Sequence, residues 1–144
     1  VPNLCLTDNR PMMTYLFDNF ASKFPTLAGR AGVEAMSWHD VTKNNQDSRN
    51  MPHSYSEELT AGDVTLQMTW KDLQPPMAIE VGPNESATKA HDMYAVFLEA
   101  TDARITINGT ALQGQVVDRQ FFGRTMSTAF LALSETWVTP NENG

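Results

Sequence analysis

Cysteine is nearly missing from this chain. Cys5 is the only one in 144 residues, so no intrachain disulfide can form and a cysteine-rich zinc site is excluded. Long apolar runs are missing as well: none approaches the roughly 18 residues of a membrane-crossing helix, and no membrane partner is expected. Charge is sparse, at 19% of residues against the usual quarter or so. Bases are the scarcer sign, and a net charge of −7 argues against nucleic-acid binding, which draws on clustered lysine and arginine. In place of charge stand 15 Thr, 10 Asn, 8 Ser and 6 Gln. A neutral polar surface of that kind suits extracellular, virion or packed-assembly proteins better than free cytosolic enzymes.

The few charges are unevenly spread. Residues 54–102 hold nine acids against Lys71 and Lys89, which is the whole of the net charge. Beyond them come Arg104, Arg119 and Arg124, ahead of Glu135 and Glu142. Such polarity makes either a solvated acidic face or an acidic surface that meets a basic one on a neighbour. With 41% hydrophobic residues, residues 1–144 can bury a core as one domain. Val1-Pro2-Asn3-Leu4 carries neither a basic nor an apolar leader segment, so no signal peptide is read and a virion or the cytoplasm is the expected setting.

Element signals run along the chain in order. Asp8 or Asn9 can cap a helix whose first turn tolerates Pro11. Met13, Leu16, Phe17, Phe20 and Phe24 then form one stripe at helical spacing, which Pro25 ends. Residues 33–41 suggest a short strand. Residues 42–62 are polar and punctuated by Pro52 and Gly62, which predicts a long loop. In 63–72, Val64, Leu66, Met68 and Trp70 alternate with Thr65, Gln67, Thr69 and Lys71, the pattern of a strand with one wet face. Pro75-Pro76 breaks the chain before Met77, Ile79 and Val81 alternate again. Asn84 can cap a helix over 85–100, with a strand over 93–99 as the competing reading. Asn108-Gly109 is the strongest hairpin signal, joining Arg104–Ile107 to a return strand through Val116 and Val117, with a bend at Gly114. Residues 126–137 fit either a helix or a closing strand, and 139–144 read as a polar tail. The expected class is α+β: a mostly antiparallel sheet with an N-terminal helix and a second helix packed on one face.

Catalytic patterns are few. His39-Asp40 and His91-Asp92 repeat one dipeptide found in metal-dependent phosphohydrolases, but those are helical bundles and no further ligand spacing accompanies it here. Cys5 has no neighbour that would activate a thiolate. Gly29-Arg30-Ala31-Gly32 lacks the Lys-Ser/Thr ending of a phosphate loop and follows a helix rather than a strand. Asn84-Glu85-Ser86 and Asn108-Gly109-Thr110 match glycosylation sequons. No cofactor or metal is expected.

Arg119-Gln120-Phe121-Phe122-Gly123-Arg124 interleaves bases with aromatics. Phe121 and Phe122 cannot both face the interior of one strand, so one of them is exposed or covered by a partner. The order helix, strands, helix, hairpin, closing segment over residues 10–138 resembles small phage tail-completion (terminator) proteins. That resemblance lies in element order alone and carries over no residue role; it implies a homo-oligomer within a virion. The leading expectation is a non-enzymatic assembly protein that contacts itself or protein partners through Arg104, Arg119, Phe121, Phe122 and Arg124. The rival is a pocket protein, built around Trp38, His39, Asp40, Trp70 and His91, in which His39 or His91 acts as a base beside a carboxylate.

Overall fold

The computed structural model describes residues 3–138, and the tail at 139–144 lies outside them. The class is α+β, dominated by antiparallel strands. The N-terminal unit is the exception. There β1 (Leu4–Thr7) runs parallel to β2 (Ser37–Asp40), with α1 (Arg10–Asn19) and the short α2 (Ala31–Glu34) between them. Asn9 caps α1, its side-chain oxygen accepting from the Met12 N–H at 3.1 Å. The helix stops before the apolar stripe does: Phe20 lies past its end, buried, with its ring 4.6 Å from that of His91. A single 3-10 turn at Ala21–Lys23 follows, and no residue of α1 itself is fully buried.

The main sheet contains β3 (Lys43–Asp47), β4 (Ser54–Ala61), β5 (Val64–Leu73), β7 (Asp92–Ile107) and β11 (Phe130–Val138). Two short strands, β6 (Met77–Val81) and β8 (Thr110–Ala111), add to β7. The 16-residue β7 is shared by two half-sheets. Its first half, to Glu99, pairs with β6 and β11; its second half, from Ala100, pairs with β5 and β8. Pro75-Pro76 lets the chain pass from β5 to β6 along one side of β7, because proline cannot donate to the ladder. A hairpin of β9 (Asp118–Phe121) and β10 (Arg124–Ser127) leaves the sheet on the other side, between β8 and β11.

The register sorts the side chains with one exception. Tyr55, Leu59, Leu66, Met68, Trp70, Ala103 and Ile105 share one face of the β4–β5–β7 sheet, with Glu57 among them opposite Met68; Ser56, Glu58, Gln67, Thr69, Arg104 and Thr106 share the other. Asp72, at φ 51°, breaks the alternation, so Leu73 and Trp70 meet the same core. That core is Leu73, Leu98, Ala100 and Leu131, with Met51, Tyr55, Trp70 and Ala129 packed around it. The Trp70 indole N–H donates to the Phe130 carbonyl at 2.8 Å.

Several expectations are corrected. Residues 42–62 are not a loop but β3, a turn and β4, because strand pairing overrides the polar composition of Lys43–Asp47. The 85–100 helix is absent: 92–100 is strand, since Tyr94, Val96 and Phe97 find ladder partners on both sides. The second helix is the four-residue α2 instead, which takes the first two residues of the stretch 33–41 read as a strand; β2 at Ser37–Asp40 occupies its later part. The return strand after Asn108-Gly109 stops at Ala111, and 112–117 is irregular around Gly114 at φ 145°. Residues 126–137 resolve into β10 and β11.

Truncating Trp70 tests the core. In urea denaturation, Trp70→Ala should lower stability by about 3 kcal/mol. Trp70→Phe keeps the packing and loses the bond to Phe130, and should lower it by about 1 kcal/mol.

Candidate interaction surface

The β9–β10 hairpin is held at its base by Ser127. The buried Ser127 hydroxyl donates to the Ala100 carbonyl at 2.6 Å and accepts from the Ala129 N–H at 2.9 Å. The Ser127 N–H donates to a Glu99 carboxylate oxygen at 2.6 Å. The contacts with Ala100 and Glu99 thus fix the hairpin to the middle of β7, where the two half-sheets meet.

Above this anchor the aromatic rings gather. Phe121 packs on Phe97 and Phe130, with centroids 6.0 and 4.9 Å away. The Arg119 guanidinium lies over both Phe121 (4.7 Å) and Phe130 (5.2 Å), a geometry in which the ring faces attract the cation. Arg124, opposite Phe121 in the hairpin register, donates to the Met77 sulfur at 3.6 Å. Neither arginine takes part in an ion pair among the described residues, whose pairs are Arg10–Asp40, Arg49–Asp47 and Lys71–Asp102. An apolar hollow of about 300 Å³ opens beside the hairpin, lined by Phe24, Ile79, Val81, Tyr94, Phe97 and Phe122 among others.

Phe122 forms the tip. It is 61% exposed, the most exposed large hydrophobic side chain described. Its φ is 48° and that of Gly123 is 76°, nearly the values of Asn108 (49°) and Gly109 (78°) in the other tight turn. Positive φ at two successive positions favours Asn-Gly, which the chain uses at 108–109. At 122 it carries phenylalanine, at a steric cost of about 1 kcal/mol.

The structure therefore brings Arg119, Phe121, Phe122 and Arg124 together but leaves Arg104 apart. Arg104 sits opposite Thr69 on the polar face of the β5–β7 pair. Phe97, Phe130, Ser127 and Glu99 complete the surface and were missed in the sequence. For Phe97 and Phe130 the available signal was aromatic spacing, which favoured a helix at Phe97 and fitted either a helix or a strand at Phe130.

The residues of the rival reading are dispersed. Asp40 is clasped by Arg10, at 2.6 and 3.2 Å, and the guanidinium holds its carboxyl below the ordinary value. His39 stands on β2, whereas His91 stacks on Phe20 and shares a 3.0 Å hydrogen bond with the Thr88 hydroxyl. Trp70 belongs to the core rim and to a shallow cleft of about 580 Å³ with Met68, Ile105, Leu112, Val116 and Phe130, in which no histidine takes part. Cys5 is buried, and burial raises its thiol pKa. No group of three or more His, Cys, Asp or Glu at metal-binding spacing occurs among the described residues. Compared with protein-family models, curated proteins and solved structures, the chain matches none.

Ser127→Ala strips the anchor of its hydroxyl and should lower stability by about 2 kcal/mol. Hydrogen exchange should then quicken first at the amides of 118–129. Protection unchanged there would mean that the ring cluster alone holds the hairpin.

Proposed function

We propose that this chain is a non-enzymatic assembly module that binds protein, copies of itself first, through the β9–β10 hairpin. One observation carries the reading: two tight turns share a backbone geometry, and the chain places an exposed phenylalanine in one where asparagine serves in the other. Within the chain the ring packs edge-on against Phe121, centroids 4.8 Å apart, yet stays 61% exposed in a left-handed conformation, whereas a contact that covers it gains the burial of an aromatic anchor. Arg119 and Arg124, on either side and without carboxylate partners, suit an acidic or aromatic counterpart. The acidic stretch 54–102 of another copy offers the first kind.

A virion, the setting the phage resemblance implies, would suit such a module. The element order behind it included a helix over 85–100, where the chain forms a strand, so the proposal rests on the hairpin instead.

Phe122→Asn is the decisive substitution. It suits the turn, so the thermal midpoint should hold or rise by a few degrees. Light scattering across salt concentrations should show association weakened by about tenfold or more. An Arg124→Glu variant should weaken association in the same direction, most clearly at low salt. A parent chain that stays at 16.0 kDa at every concentration and salt level would overturn the self-association reading. A Phe122→Asn variant that is destabilised yet associates normally would make the ring structural.

A further inference from the structure

At the far end of the strand order from the hairpin lies β3. Among the described residues it pairs with β4 alone. Its sequence is Lys43-Asn44-Asn45-Gln46-Asp47, and all but Asp47 are exposed. One row of its backbone donors and acceptors faces outward, a template for a further strand.

We infer that β3 is a two-fold contact with a second copy of this chain, the two strands pairing antiparallel about Asn45. In such a pair, residues equally distant from the centre stand opposite each other. Lys43 then faces the partner's Asp47, Asp47 faces the partner's Lys43, and Asn45 faces the partner's Asn45. Both charged pairs fall on one face of the sheet, because 43, 45 and 47 share it. A lysine on an edge strand ordinarily keeps other edges away. Here the acid four residues on makes the edge attractive to its own copy and unattractive to an edge of uniform charge.

The neighbourhood fits this role. Arg49 holds Asp47 by three bonds, two from its guanidinium at 2.9 and 2.6 Å and one from its backbone N–H at 3.1 Å, so the carboxylate is fixed in place before any partner arrives. A carboxylate has about four acceptor sites, which leaves one for a lysine. On the other face, Asn44 and Gln46 both donate to the same Glu57 oxygen, at 3.1 and 3.5 Å, which holds the strand flat against β4. Beside the strand, a polar hollow of about 370 Å³ lined by Asn45, Asp47, Arg49, Ser56, Glu58 and Gln67 extends the hydrogen-bonding surface beyond five residues. The contact uses none of the hairpin, so the two surfaces stand or fall separately.

The test is a complementation experiment in the full chain carrying Phe122→Asn, so that only the β3 contact is read. That background should show a dimer by native mass spectrometry. Lys43→Asp places carboxylates at both positions of each cross-strand pair, and Asp47→Lys places ammonium groups at both. Each alone should dimerise about tenfold more weakly, or worse. Mixed in equal amounts, the two variants are complementary at both pairs, and a heterodimer should recover to within a few-fold of the background. Misfolded chains could not produce that recovery. A background that is monomeric while the parent associates would overturn the β3 contact and leave the hairpin reading standing. Variants that dimerise normally alone, or a mixture no better than its parts, would also overturn it.

Discussion

One covalent strand carries the architecture. The half-sheets around β7 have separate neighbours, yet each takes its position from the same 16 residues. At the junction Ala100 is wholly buried, and its backbone groups bond both the turn ahead of β11 and the hydroxyl of Ser127. The core of Leu73, Leu98, Ala100 and Leu131 gathers at that same point. Where the flanking strands change over, the chain must leave the sheet. The hairpin with its arginines and aromatic rings occupies one of those gaps, so its place on the surface follows from the way the sheet is divided.

Parts of this were legible from residue order. The alternation of Val64, Leu66, Met68 and Trp70 gave the facing of β5 correctly, since a half-covered strand writes its two faces into alternate positions. Asn108-Gly109 marked its turn because few residue pairs accept that backbone. The Asn9 cap was readable for a similar local reason. Elsewhere the deciding interactions are distant in sequence. Nothing within Lys43–Asp47 marks a strand; its partner, β4, lies beyond the turn. Residues 92–100 carry apolar side chains at spacings that suit a helix, and only ladders on both sides decide for a strand. The hairpin was visible as a surface cluster of Arg119, Phe121, Phe122 and Arg124. Arg104 was grouped with it through charge order alone, and its facing on β7 separates it.

The electrical imbalance takes on a spatial meaning in the fold. The acidic stretch runs through β4, β5, β6 and most of β7, whereas Arg119 and Arg124 ride on a hairpin lifted off that sheet. The two arginines therefore sit apart from most of the acids, although Asp118 shares their hairpin and Arg104 stands on β7. The histidines, by contrast, are absorbed locally: His91 by Phe20 and Thr88, and His39 by the short parallel pair.

A shared strand also constrains how the gene can vary. Side chains on a strand alternate with a period of two, so adding or deleting one codon within 92–107 would rotate one half-sheet's interior to the outside while the other half kept its facing. Length changes in the segments that skirt β7, such as 112–117, carry no such penalty. Natural variants of this chain should accordingly differ in size around the strand and hold its length constant.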